Sequence, residues 1–311
     1  MRTLLIRAFL PALTLLTGLW LTGCQQAGEE LTDRKRRENE QEIQQYLTTS
    51  KLQATQLGTT GLYYLKTVSA PTNQSASIGD EVQFFATSRR LDGTVLDSTD
   101  GKNPIFYTYG TSPQRINTLI NNSFLYKNIT NGMFLGLTVA NAGEKLTLLV
   151  PSYLDDGRTG SLVLPQYSPI RYDLRVKSIR TEDQQIEDYI AANKINVTKK
   201  LDSGLRIAVT SAKPDSALIT PGQSVTVTYT GRLTDGTVFD NSKTRPDTTF
   251  SFEVGRAQVV QGWELGIQQV RRGEKFFLIF PSVLGYGTTG KGSLVTPFKP
   301  LAFEMAVLRV K

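Results

Sequence analysis

The feature that most constrains this chain is an internal repeat. Asp92-Gly93-Thr94-Val95-Leu96-Asp97 recurs as Asp235-Gly236-Thr237-Val238-Phe239-Asp240, 143 residues further on. The same offset carries Ile43 and Tyr46 onto Ile186 and Tyr189, and Gly61-Leu62 onto Gly204-Leu205. Beyond these the offset falls to 130, matching Gly143-Glu144-Lys145 to Gly273-Glu274-Lys275 and Pro151-Ser152 to Pro281-Ser282. A collinear match over more than a hundred residues implies a duplicated domain, as a turn motif alone would not. At 311 residues the chain has room for two such domains, each with its own core. The first copy carries 13 extra residues between Asp97 and Met133, assigned to the polar stretch Thr111–Asn122.

Each copy opens with a polar helical stretch and continues with strand signals. In the second, Val225, Val227 and Tyr229 alternate with threonines, and Asp235-Gly236 supplies a turn. Phe250, Phe252 and Val254 alternate again. Trp263, Ile267 and Val270 share one face of a short helix for which Arg272-Gly273 is the expected stop. Strands at 275–281 and 301–310 close the unit. Antiparallel strands with a single inner helix make an α+β domain. The segment Ser178–Glu187 joins the copies and is short enough to restrict movement between them.

Composition excludes much chemistry. The chain has no histidine and one cysteine, Cys24, so a Ser-His-Asp triad, a His/Cys zinc site and a disulfide framework all lack their parts. No metal site and no cofactor are expected, and no carboxylate pair suited to glycoside hydrolysis stands out.

The amino terminus reads as an address. Two arginines precede an apolar stretch from Ala8 to Leu21, which is short for a membrane span. Leu21-Thr22-Gly23-Cys24 resembles the bacterial lipobox, which implies acylation of Cys24 and a mature chain starting there. Several acyl chains on one residue give a stable anchor. Gln25 resembles outer-membrane sorting signals, so the expected location is the cell envelope, at the outer rather than the inner membrane. Without Arg2 and Arg7 the chain has 33 basic and 28 acidic residues, a net charge of +5. An exported lipoprotein seldom meets nucleic acid, so none is expected as a partner. The run Arg34-Lys35-Arg36-Arg37 is taken as part of a solvated tether rather than a headgroup-binding patch. The expected organisation is a signal peptide (1–23), a charged tether (24–38), a first domain (39–180) and a second (181–311).

The second copy resembles the FKBP family of peptidyl-prolyl isomerases from about Gly204 to Lys311. The resemblance rests on Val227-Thr-Tyr229-Thr-Gly231, Asp235-Gly236-x-x-Phe239-Asp240, Phe250-x-Phe252-x-x-Gly255, Val259-Val260-x-Gly262-Trp263-Glu264 and Gly285-Tyr286-Gly287, with Phe303 seventeen residues after Tyr286. It implies two tandem domains, each a curved antiparallel half-barrel sheet wrapped around a short helix. It also implies a proline pocket with Trp263 as floor and Tyr229, Phe239, Phe250, Val259, Val260 and Phe303 as walls. Tyr286 would donate its hydroxyl to a substrate carbonyl, and the Val260 N–H would hold another. Asp240, with Arg245 as charge partner, would orient Tyr286 or meet the twisted amide. Leu294 and Val295 would belong to a flap, Thr288–Thr296, over the substrate. Gln258, where the family commonly has an acid, and Lys291 are departures at the rim.

The family likeness further implies proline-containing exported polypeptides as substrates and macrolide inhibitors binding within residues 183–311. In the first copy Ala86, Leu96, Met133 and Asp156 stand where Tyr229, Phe239, Trp263 and Tyr286 stand in the second. That copy is expected to fold without catalysing, as a spacer, a substrate-binding chaperone surface or a docking domain. The rival to an anchored isomerase is a non-catalytic binding or assembly lipoprotein.

Overall fold

A computed structural model describes residues 30–70, 73–99, 101–110, 129–244 and 246–311. The signal peptide, Cys24, Arg245 and the Thr111–Asn122 stretch lie outside them. The first unit runs α1 (Leu31–Thr49), β1 (Thr55–Gln56), β2 (Tyr63–Val68), β3 (Glu81–Arg90), β4 (Val95–Ser98), β5 (Ile105–Thr108), α2 (Asn131–Leu137), β6 (Lys145–Val150) and β7 (Ile170–Arg180). The second runs α3 (Glu182–Ala192), β8 (Lys199–Lys200), β9 (Arg206–Ser211), β10 (Ser224–Leu233), β11 (Val238–Asn241), β12 (Phe250–Glu253), α4 (Gln261–Ile267), β13 (Lys275–Phe280) and β14 (Leu301–Val310).

The strand orders are β1-β2-β6-β7-β3-β4 with β5 on β3, and β8-β9-β13-β14-β10-β11 with β12 on β10. All pairings are antiparallel, and both sheets stay open. Register shifts fall between Gln83 and Phe84 on β3 and between Thr226 and Val227 on β10, equivalent places in the repeat. Such bulges bend a strand and increase its twist, so both copies curve alike.

Alternation on β13 shows how each sheet is covered. Phe276, Leu278 and Phe280 face the inner core with Trp263 and Ile267, whereas Ile279 joins Ile186, Tyr189 and Ile190 of α3 on the other face. The first copy repeats this: Leu146, Leu148 and Val150 point inward, and Leu149 meets Ile43 and Leu47 of α1. Each unit is therefore a helix, a sheet and a second helix in layers.

Two expectations change. The basic run is helical, since α1 begins at Leu31 and takes in Arg34–Arg37 of the expected tether. Lys35 pairs with Glu38 along the helix at 2.6 Å, and Lys35 and Arg36 lie 5.5 and 4.7 Å from the Tyr167 and Tyr153 ring centroids, contacts that dock the helix. The inner helix stops at Ile267 rather than at Arg272-Gly273. The Val270 N–H takes the Ile267 carbonyl, and the Val270 carbonyl receives the Ile219 N–H at 3.2 Å. The chain is thus drawn into a tight turn while Val270 stays fully buried. Between the copies, β7 passes to α3 through Thr181 alone, whose hydroxyl and Gln184 form a capping box.

One buried charge fixes α3 to its sheet. Arg206 is 1% exposed and donates to Glu187 (2.6 Å), to Asp183 and to the Gly204 carbonyl (2.6 Å). Replacing both Asp183 and Glu187 by Ala strands that guanidinium and should cost about 3–5 kcal/mol in denaturant unfolding. The Arg206 hydrogen bond holds the Asp183 carboxyl below its ordinary value. The unfolded chain therefore takes up this proton first, so the contribution is present above about pH 4 and lost as pH falls through the lower folded value. An Arg206→Met variant should show a shallower loss of stability below that pH than the parent.

Candidate active site

The site grows from α4. Val260 is its N-cap in extended conformation, and its carbonyl accepts the Trp263 and Glu264 N–H groups at 2.9 and 3.2 Å. The helix lies hard against β13 because Gly262 and Gly266 face the strand. A Cβ on Gly262 would meet Phe280 at 2.6 Å, and one on Gly266 would meet Leu278 at 2.5 Å. That approach sets the Trp263 indole among rings, with centroids at 4.9 Å from Tyr229, 5.1 Å from Phe303 and 6.1 Å from Phe250, all near edge-to-face. The indole is 4% exposed, and its N–H has no hydrogen-bond partner among the described residues. Ring packing alone orients it.

The walls come from the strands. Phe303 on β14 pairs with Gly231 on β10, where a Cβ would sit 2.8 Å from Phe303 and 2.9 Å from Phe239. The missing side chain lets Phe239 meet Phe303 edge-on at 5.5 Å. Tyr229 donates its hydroxyl to Asp240 at 2.8 Å, and Asp240 also accepts the Asn241 N–H. Its carboxylate thus orients a wall tyrosine. The Tyr286 hydroxyl instead lies 3.3 Å from the Lys291 ammonium, which also sits 5.0 Å from the Tyr286 ring centroid.

These side chains enclose a cavity of about 320 Å³ lined by Tyr229, Asp240, Phe250, Val259, Val260, Trp263, Tyr286 and Phe303, all anticipated from sequence. Gln258 and Lys291 line its rim, and so does Ala257 at φ +51°, a conformation few non-glycine residues adopt. Three anticipated residues stand apart. Phe239 meets Phe303 edge-on, Val295 is buried in the core at 2% exposure, and Leu294 is 49% exposed; none lines the cavity. The flap folds on itself, Lys291 and Val295 exchanging backbone hydrogen bonds, which turns Val295 inward.

Two supporting residues carried no sequence signal of their own. Ser242, 1% exposed, accepts the Tyr229 N–H at 3.1 Å. Glu182 of α3 accepts the Ser282 N–H at 2.5 Å and its hydroxyl at 2.7 Å, at the start of the turn that carries Tyr286. Burial pushes the Glu182 carboxyl up, and the Ser282 hydrogen bonds pull the other way. The repeat could have revealed both, since Thr99 and Asn39 occupy the equivalent positions and bind the Ala86 and Ser152 N–H groups.

Chemically the cavity offers an aromatic floor, apolar walls, hydroxyl donors and one carboxylate. Among the described residues no cluster of three His, Cys, Asp or Glu is placed to bind a metal. The arrangement suits holding a compact apolar ring by its faces with polar atoms at the mouth.

The family profile described as FKBP-type peptidyl-prolyl cis-trans isomerase matches residues 216–308, the stretch that builds this cavity. The chain is 32% identical over 204 residues to the FKBP-type peptidyl-prolyl cis-trans isomerase FkpA of Aeromonas hydrophila, covering 64% of this chain and 68% of that protein. It is 37% identical over 106 residues to FK506-binding protein 1 of Dictyostelium discoideum, covering 34% of this chain and 98% of that protein. It is 40% identical over 116 residues to the macrophage infectivity potentiator of Trypanosoma cruzi, where the match takes in 36% of this chain and 56% of that protein. With the relationship to FkpA running through most of both chains and the profile falling on the cavity, this chain belongs to the FKBP-type peptidyl-prolyl cis-trans isomerase family.

Proposed function

We propose that the isomerase activity resides in the second domain, at the cavity floored by Trp263, and that a lipid on Cys24 holds the enzyme at the cell envelope to act on exported polypeptides. The reading rests on one observation above the rest: a buried indole among Tyr229, Phe250 and Phe303, open to a cavity whose polar groups sit at its rim.

Rotation about an X-Pro bond must break amide resonance, a barrier of about 18–20 kcal/mol. Unaided it takes tens to hundreds of seconds. It requires no nucleophile and no proton transfer, so a chain without histidine can perform it. The planar amide is dipolar and well hydrated, and the twisted amide is less delocalised. Taking the proline ring into an apolar cavity removes water from the amide and costs the ground state more than the transition state. In this reading the Trp263 face holds the ring and Phe303 and Phe250 fix its plane. The Tyr286 hydroxyl and Val260 N–H anchor substrate carbonyls on either side of the rotating bond. Asp240 holds Tyr229 in place and presents its carboxylate to the twisted amide. The same apolar walls suit a macrolide such as FK506 as a competing ligand.

The anchor rests on the lipobox-like Leu21-Thr22-Gly23-Cys24. No helix among the described residues is long and apolar enough to cross a membrane. Cys24→Ser should move the protein from the membrane to the soluble fraction. Persistence of the variant in the membrane pellet would mean that something other than lipid holds it.

Catalysis is tested with a short X-Pro peptide and the full chain in detergent. Tyr286→Phe removes one hydrogen bond of about 0.5–1.5 kcal/mol, so kcat/KM should fall roughly 2- to 10-fold. Trp263→Ala should lower it by about tenfold or more, with circular dichroism reporting that the fold survives. Unchanged acceleration by both variants would remove the cavity from the reaction and leave a binding lipoprotein as the better account. Lys291→Glu should shift the preference before proline from acidic toward basic residues by a few-fold at low salt, because an exposed charge contributes about 0.2–1 kcal/mol and is screened.

A further inference from the structure

We infer that the first domain carries a second peptide site, one that grips a single large aliphatic or aromatic side chain of an extended polypeptide without isomerising it. This goes beyond the isomerase reading and concerns the copy that lacks its residues. Between β3, β4, β7 and the start of α2 lies a cavity of about 270 Å³ whose wall includes Leu96, Met133, Val163, Leu164, Ile170 and Tyr172.

Strand register identifies it as the counterpart of the proline cavity. Tyr172 pairs with Ser88 on one side and Leu148 on the other, as Phe303 pairs with Gly231 and Leu278. Met133 follows Gly132 on α2 as Trp263 follows Gly262 on α4. A Cβ on Gly132 would lie 2.3 Å from Val150, so this inner helix is pressed to its strand in the same way. The duplicated scaffold has kept the hollow and changed its lining.

The changes remove catalysis and keep binding. Ala86 replaces Tyr229, and Asp97, the counterpart of Asp240, does not line the cavity. The Thr130 hydroxyl is engaged, accepting the Met133 N–H and donating to Asp155, each at 3.2 Å. What remains is an aliphatic wall of Leu96, Val163, Leu164 and Ile170 over a methionine floor, with Ser88, Thr159 and Ser161 also in the lining. An unbranched thioether adapts to side chains of different shape, where a fixed indole selects a flat ring. A space of this size admits one Leu- or Phe-sized side chain.

Aliphatic side chains also flank the mouth. Ser161 to Leu164 forms a tight turn closed by Ser161 N–H to the Leu164 carbonyl at 2.7 Å. Leu164 is buried against the cavity, yet Val163 is 56% exposed and Leu162 107% exposed. Two adjacent aliphatic side chains held outward beside an apolar hollow extend the grip along a bound chain. An extended peptide is the occupant, a choice that rests on the isomerase reading, in which the same hollow of the other copy takes one residue of a passing chain. A client held here would present its prolines to the second domain at raised effective concentration.

The chain contains three methionines, Met1, Met133 and Met305, and two tryptophans, Trp20 and Trp263. Methyl-labelled methionine therefore gives a reporter on the floor of this cavity, Met305 a reporter of the second core, and the Trp263 indole a reporter of the proline cavity. A proline-free decapeptide containing Leu and Phe is titrated into the full chain in detergent, with a Ser-substituted decapeptide as control. The expected result is a saturable shift of the Met133 methyl with Kd on the order of 0.1–1 mM, the Met305 methyl and Trp263 indole staying still. Val163→Asp, at an exposed position, should weaken this binding about tenfold while the Met305 methyl keeps its place. A Met133 methyl that does not move, moves equally with the Ser-substituted peptide, or moves as strongly in the Val163→Asp protein would overturn the inference. A fatty acid that shifts Met133 where the peptide does not would do the same, and would make the hollow a lipid site.

Discussion

The contact on which both domains depend is the close approach of a seven-residue helix to one strand through two glycines. Gly262 and Gly266 meet Phe280 and Leu278, and Gly132 and Gly136 meet Val150 and Leu148, at distances a Cβ could not occupy. Neither helix is long enough to be stable alone. Each exists because it is pressed into the concave face of a sheet whose inward residues fill the space on either side. The residue after the first glycine then stands at the open end of the core, in the position where a ligand would rest. Trp263 and Met133 owe their placing to that contact.

Given this scaffold, the two hollows differ through few substitutions. Tyr229 brings both a ring against Trp263 and a hydroxyl to Asp240, and Ala86 brings neither. Gly231 lets Phe239 and Phe303 meet edge-on, whereas the first copy has Ser88 opposite Tyr172. The second cavity becomes a stiff aromatic cage and the first a softer aliphatic one. Neither change touches the helix–strand contact, so the fold tolerates both. A duplication of this kind lets one copy keep a demanding geometry while the other changes its lining at little cost in stability.

What the sequence disclosed follows the same division. The repeat and the strand alternation are local patterns and pointed to two copies, while the eight cavity residues came with the resemblance to the FKBP family. The misplacements concern how a segment packs after folding. Residues 31–38 read as a tether because they are charged, but Arg36 finds the Tyr153 ring and the helix extends over them. Val270 fits the helical period of Trp263 and Ile267, yet a backbone bond from Ile219 draws it into a turn. Leu294 and Val295 read as a flap over the substrate, and the pairing of Lys291 with Val295 sends one outward and the other into the core. The resemblance implies that Asp240 orients Tyr286 or meets the twisted amide, and side-chain placement gives it a bond to Tyr229.

The outer helices connect the two domains to the site. Glu182 begins α3 one residue after Thr181 ends the passage from β7, and its carboxylate grips Ser282 at the foot of the Tyr286 turn. Arg180, the last residue of β7, bonds Glu81 in the first domain at 2.5 Å and Asp188 on α3 at 2.6 Å. Lys299, in the loop before β14, comes within 4.0 Å of the same Glu81. The junction thus shares its charged groups with the element that holds a cavity residue. In the first domain Asn39 of α1 likewise accepts the Ser152 N–H. The clamp is part of the repeat, and the end of β7 leads into it through Thr181. Only Thr181 separates Arg180 from Glu182, so the charged junction and the clamp on the Tyr286 turn share one short backbone segment.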